Sequence, residues 1–314
     1  MLCCALVFLS ACSGAAEKTG SEKNGETLIA ASFYPVYIFT LNLLDGIDTV
    51  RLECMAEQNV GCLHDYQLLA KDAKLLSDSN VLIINGAGME AFIEDAYKNN
   101  LSLSVIDSSE GIELLSDEHG EHDEHEEHGE HSEHEVHAFS HEHSHDANSH
   151  IWMSVSNAEK QVENIAAGLC SELPQFADKI NENKTAYLAR LSLLEKELAD
   201  GAAALEGKPI ITFHEAYDYM AEELSLTIAD SIESDDGGEP SAKELAILTG
   251  RIRELGVKAL FTEPNYKGAA AEILSRETGA GVFVLDPVTG GEKNIYAYEN
   301  IMRSNLDILI KAVG

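Results

Sequence analysis

The chain has 314 residues, 45% of them hydrophobic, which is enough for two lobes with real cores. Its formal net charge of −34 excludes nucleic acid, whose phosphates would be repelled, and suits cations instead. Ten of the 13 histidines fall in one acidic tract that no packed core could absorb.

Residues 1–11 (MLCCALVFLSA) form an apolar run too short to span a bilayer as a helix and predict a signal peptide. The run ends in Leu9-Ser10-Ala11-Cys12, which resembles the lipobox of bacterial lipoproteins. That resemblance implies that Cys12 carries lipid and anchors the chain to the cell membrane from outside the cytoplasm. An ordinary cleaved signal peptide is the alternative, with the same compartment. Residues 12–26 are small and polar, as in a flexible tether.

The next stretch, 27–175, reads as an N-terminal α/β lobe. Strands are predicted at 27–32, 49–54, 81–84 and 102–106, with helices at 35–45, 65–77 and 89–98 between them. NGAGME (85–90) lacks the spacing of a phosphate loop and reads as a tight strand-to-helix turn. Cys54 and Cys62 flank the loop just before His64; outside the cytoplasm they could form a disulfide, and free thiols are the alternative.

Residues 116–146 carry His119, His122, His125, His128, His131, His134, His137, His141, His143 and His145. High charge and low hydrophobicity predict an unfolded loop. From His119 to His137 histidine recurs every third residue, a spacing that spirals around an α-helix but lines one edge of a polyproline II ribbon. The expectation is a set of weak, exchangeable, auxiliary metal sites; a solvated loop without function is the alternative.

A helix is predicted at 156–172, broken by Pro174, and a longer one at 176–205, within a linking segment 176–206. At about 1.5 Å per residue that helix spans roughly 45 Å, a rigid spine unless it breaks near Gly201. Residues 207–314 form the second α/β lobe, with strands at 208–212, 225–229, 258–262 and 281–285. Helices fall at 215–224, 241–255, 267–278 and 296–312. The predicted fold is α/β: two similar lobes, each a parallel sheet with flanking helices, joined by one long helix.

On this outline His64, His150, His214 and Asp286 all follow strand ends, where open α/β sheets put their ligand sites. Two come from each lobe, so one ion could be gripped in the cleft between them. Three neutral imidazoles and a carboxylate suit tetrahedral zinc, whereas manganese favours more oxygen ligands.

Seven segments carry a resemblance: SFYPVY (32–37), HDYQ (64–67), NGAGME (85–90), HIWMSVSNA (150–158), TFHEAYDYMAEELSL (212–226), EPSAKEL (239–245) and FTEPNY (261–266). In this order they resemble the solute-binding proteins of bacterial metal-uptake ABC transporters, in the zinc and manganese cluster, over residues 27–312. The resemblance implies a monomeric, non-enzymatic binding protein that delivers its metal to a membrane permease. It puts the ligands at His64, His150, His214 and Asp286. A histidine at 214 and the His-rich loop favour zinc over manganese. Glu215 and Glu263 become candidates for orienting the imidazoles; surface or strand-end carboxylates are the equal alternative. Two departures stand out. Leu63 precedes His64, so a carboxylate ligand there is excluded, and HIWMSV lacks the supporting aspartate usual beside the second histidine. A metal buffer or adhesin on the same fold is the rival reading. A zinc hydrolase is disfavoured because His214-Glu215 meets Asp218, not histidine, at the HExxH position.

Overall fold

The computed structural model describes residues 27–56, 66–116, 147–232, 240–266 and 268–314. The expectations for the signal segment and Cys12, for Cys62 and His64, and for the ten tract histidines lie outside the described residues.

Two four-stranded parallel sheets form the frame. The first contains β1 (Thr27–Ala31), β2 (Val50–Cys54), β3 (Val81–Ile84) and β4 (Ser104–Asp107) in the order β2-β1-β3-β4. The second contains β5 (Pro209–Thr212), β6 (Thr227–Ser231), β7 (Ala259–Thr262) and β8 (Gly281–Val284) in the order β6-β5-β7-β8. The two orders are the same, so each sheet reverses its winding between its first and third strands, opening a crevice at their carboxyl ends. The central strands β3 (VLII) and β7 (ALFT) are buried at every position, as a sheet covered on both faces requires.

Among the described residues the helices are α1 (Tyr34–Leu43), α2 (Ala70–Asp78), α3 (Glu94–Lys98), α4 (Val155–Glu172), α5 (Ala177–Ala202), α6 (Asp218–Glu223), α7 (Ala242–Leu255), α8 (Ala270–Thr278) and α9 (Ala297–Val313). None of them is long and apolar enough to cross a membrane. One buried cluster joins the inner faces of both sheets, from Ile29 and Ile83 through Leu169, Leu191 and Leu194 to Phe261 and Leu309. The outer faces are covered separately. Leu76, Leu82 and Ile93 pack in the first lobe, and Leu248, Ile252, Leu260 and Leu274 in the second.

The long helix forms as expected. Ile180, Tyr187, Leu191, Leu194 and Leu198 put a buried stripe along α5, and short 3-10 turns at Pro174–Phe176 and Ala203–Leu205 extend it at both ends. Gly201 does not break it. A Cβ there would lie 2.6 Å from Leu306 Cδ2, so glycine is what lets α5 approach α9 this closely. The spine also carries a polar bracket. Arg190 donates to Glu299 Oε1 (2.9 Å) and the Ile295 carbonyl (3.0 Å) on the α9 side, and to Asn42 Oδ1 of α1. Its guanidinium lies over the rings of Tyr187 (4.8 Å) and Tyr296 (5.0 Å).

Helix α2 starts at Ala70, later than the apolar pattern suggests. The cause is local: Asp72 accepts from the Tyr66 hydroxyl (2.7 Å) and from Leu69 N–H (2.8 Å), which holds residues 66–69 outside the helix. Helix α7 begins with Ser241 and Glu244 in a capping box and ends at Gly256 in the left-handed region (φ 66°).

The NGAGME turn has a chemistry of its own. Gly86, Ala87 and Gly88 all take positive φ (79°, 53° and 86°), and a Cβ on Gly86 would strike Asp107 Oδ1 at 1.9 Å. The turn folds Glu90 back beneath it. The Glu90 carboxylate accepts from Ser32 Oγ (2.7 Å), Asn85 N–H (2.7 Å) and Gly86 N–H (3.0 Å), and so bridges the ends of β1 and β3. Burial nonetheless outweighs those bonds and pushes its carboxyl up to about 7. The folded chain thus holds the Glu90 proton more tightly than the unfolded chain does. Stability from this group is greatest below pH 4.5 and falls as pH rises through about 7. We expect Glu90→Gln to flatten this trend. Between pH 5 and 8, the wild type should lose about 2.5 kcal/mol relative to the variant in urea unfolding. Parallel profiles would disprove a titrating Glu90.

Candidate metal centre

His214 follows β5 and Glu263 follows β7, at the two sides of the crevice in the second sheet. Glu263 Oε1 accepts from His214 Nδ1. His214 is 5% exposed, and the 3-10 turn Glu215–Tyr217 carries the chain from it into α6.

His150 comes from the first lobe and is fully buried. The approach to it is pinned: Ser116 and Ala147 form an antiparallel bridge, and Asn148 N–H donates to the Leu115 carbonyl (2.9 Å). Residues 115–116 are therefore joined to 147–148 just before His150. Asn148 Oδ1 lies 2.9 Å from both the backbone nitrogen and Nδ1 of His150. After His150 a 3-10 turn, Ile151–Met153, leads into α4. The imidazoles of His150 and His214 meet edge to face, with centroids 4.7 Å apart and planes at 89°. The structure thus brings these two predicted residues together from opposite lobes.

Asp286 lies just beyond β8, and its backbone is held from several sides. Asn305 exchanges two hydrogen bonds with its N–H (2.9 Å) and carbonyl (2.8 Å). On either side, Tyr217 donates to the Leu285 carbonyl (2.8 Å) and Trp152 to the Pro287 carbonyl (2.8 Å). Trp152 also packs 5.2 Å from the His150 ring, so one side chain connects the His150 segment to the Asp286 turn. Val288 is forced to a φ of 60°, a strained value for a β-branched residue, with its N–H on Asp286 Oδ1 (2.8 Å).

The region is electronegative. Burial raises the Asp286 carboxyl above its usual range, and the Glu263 charge adds to the rise. Burial likewise raises the phenol of Tyr217, reinforced by Glu263 and Asp286, and that of Tyr34, reinforced by Asp286. A cation would relieve this accumulation of negative charge.

Of the two orienting candidates, Glu263 reaches its histidine; Glu215 Oε1 stands 4.0 Å from His150 Nδ1, beyond hydrogen-bond range. Among the described residues no three His, Cys, Asp or Glu side chains converge tightly enough to hold an ion, and His64 lies outside them. Two contributors escaped the sequence reading. Asn148 could have been suspected as a polar residue two positions before His150. Glu223 could not. It reaches from α6 in the second lobe to the start of α4, accepting from Val155 N–H (3.1 Å), Ser156 N–H (3.2 Å) and Ser154 Oγ. It supplies from across the lobes a carboxylate at the position where HIWMSV has only Ser154.

Comparison with known proteins agrees with this frame. Residues 29–312 match the family described as zinc-uptake complex component A, periplasmic. The high-affinity zinc uptake system protein ZnuA of Bacillus subtilis is 30% identical over 310 residues, covering 96% of this chain and 93% of that protein. The zinc-binding protein AdcA of Streptococcus pyogenes is 30% identical over 292 residues, 91% of this chain; the chain spans only 56% of AdcA's length. The crystal structure of Zn(II)-bound AdcA from Streptococcus pneumoniae superposes with a TM-score of 0.74 at 26% identity, covering 92% of this chain and 58% of that one. With its two like-ordered parallel sheets and long helix, the chain belongs to the ZnuA family of zinc-uptake solute-binding components, which are extracytoplasmic and are not enzymes.

Proposed function

We propose that this chain captures zinc outside the cytoplasm and delivers it to the permease of an ABC importer. One ion would sit between the lobes, bound by His64, His150, His214 and the carboxylate of Asp286. The observation that carries this reading is the pair of buried imidazoles from opposite lobes, meeting at 89° with each Nδ1 against an oxygen acceptor. With each Nδ1 so engaged, Nε2 is the ring nitrogen that would face a shared metal. The raised carboxyl of Asp286 supports the same reading, since a neighbouring cation would favour its ionised form. Three nitrogen donors and one oxygen suit zinc better than manganese.

In this reading 27–175 and 207–314 are the capturing lobes and 176–206 the spine that limits their relative motion. Lipid on Cys12 would tether the chain near the permease, and the histidines of 116–146 would gather dilute metal without being required for the central site. The relatives named above as a zinc uptake protein and a zinc-binding protein lend the reading its choice of metal and partner. The test is zinc stoichiometry, by chelator competition and elemental analysis, on protein lacking residues 116–146. One tight zinc per chain is the expected result. No tight zinc would mean that the tract is the principal binder and would overturn the inter-lobe site.

A further inference from the structure

Building on the zinc reading above, we infer that Asn148 is a positioning residue that sets the tautomer of His150 and ties it to the segment carrying His214. Asn148 is 1% exposed, and its side-chain amide uses its full hydrogen-bonding capacity. Oδ1 receives His150 N–H at 2.9 Å and faces His150 Nδ1 at 2.9 Å. Nδ2 donates to the Glu215 carbonyl at 3.1 Å and to Asp218 Oδ2 at 3.0 Å. A main-chain N–H can only donate and a main-chain carbonyl can only accept, so the amide has one permissible orientation. Flipping it would set donor against donor at the His150 N–H and acceptor against acceptor at the Glu215 carbonyl.

A consequence follows for the imidazole. With a carbonyl oxygen fixed 2.9 Å from Nδ1, that nitrogen must carry the proton, and the lone pair is left on Nε2. The neutral amide achieves this without a carboxylate, Glu215 being 4.0 Å from the same nitrogen. The two N–H groups of Asn148 meanwhile grip residues one and four positions beyond His214, on the other lobe. Tyr219, also on that lobe, donates to the Asn148 carbonyl at 2.7 Å and fixes the backbone from which the amide projects. Separating the two histidines therefore means breaking the contacts of this one side chain. Asn148 acts as the tie that keeps the imidazoles in register until metal is released.

The experiment uses the full chain and three variants, Asn148→Ala, Asn148→Asp and His150→Ala. Long-range 1H–15N spectra of the metal-free protein read the His150 tautomer. Stopped-flow chelator exchange reads zinc dissociation, and circular dichroism reports folding. Asn148→Ala should lose the single Nδ1–H signature and bind zinc about 10–100-fold more weakly. Asn148→Asp, which keeps the acceptor but sets an oxygen against Asp218 and the Glu215 carbonyl, should keep Nδ1–H and release zinc faster. An unchanged tautomer in Asn148→Ala overturns the inference whatever the metal does. If Asn148→Ala fails to fold, an unchanged release rate in Asn148→Asp overturns the tie. Normal zinc binding in His150→Ala instead overturns the ligand assignment, while the tautomer readout, which needs no metal, still decides the role of Asn148.

Discussion

Replacing His214 by alanine should weaken zinc binding by more than about 100-fold, measured by chelator competition on protein without residues 116–146. The scale follows from what lies behind the imidazole. Losing a group that merely orients a metal-bound histidine costs about 10–100-fold, and removing the ligand itself must cost more. His214 has such an orienting group in Glu263, on Nδ1, so Glu263→Gln should fall within that smaller window. The two variants together form a graded pair. Glu263→Gln alters the imidazole's basicity and aim but leaves four donors, whereas His214→Ala leaves three. A His214→Ala protein with wild-type affinity would place the ion elsewhere, however well the Glu263 variant behaved.

The second large effect concerns stability. Arg190→Met should destabilise the fold by about 3–5 kcal/mol, because it strands a buried charge. Glu299 is 2% exposed and pairs with Arg190 at 2.9 Å, while its Oε2 has no hydrogen-bond partner among the described residues. The guanidinium also ties α5 to two other helices, reaching Asn42 on α1 and, on the α9 side, Glu299 and the Ile295 carbonyl, while lying over the rings of Tyr187 and Tyr296. Lysine could not reproduce that planar fork. If the cost is the stranded carboxylate, Glu299→Met in the same chain should recover more than half of it in urea unfolding. Strictly additive losses would mean that Arg190 acts through packing alone.

Much of the frame was legible from residue pattern. Short β-branched runs such as VLII and ALFT, alternating with helical periodicity, have few solutions other than parallel sheets covered on both faces. Once the strands are placed, the common edge of a parallel sheet gathers their carboxyl ends, which is why His214, Glu263 and Asp286 could be named from sequence. The failures have a different physical origin. Helix α2 begins late because a single carboxylate, Asp72, captures Tyr66 and Leu69, a polar choice invisible to hydrophobic periodicity. Gly201 looked like a weak point in a long helix, yet its missing side chain serves contact with Leu306, 105 positions away. Glu223 meets Ser154 across 69 positions, and no local spacing encodes that meeting. Contacts that close the gap between lobes are long-range by construction, so the residues that hold the candidate site together were harder to read than those that would bind the ion.

The buried cluster that joins the inner faces of both sheets belongs to neither half of the chain. Cutting at the long helix would leave each half with an apolar face that only the other covers, on a scale that a soluble domain does not tolerate. The two halves share a strand order, but they are not exchangeable parts. Neither could be grafted, duplicated or inherited without its partner, and a change on one side of the seam has to be answered on the other.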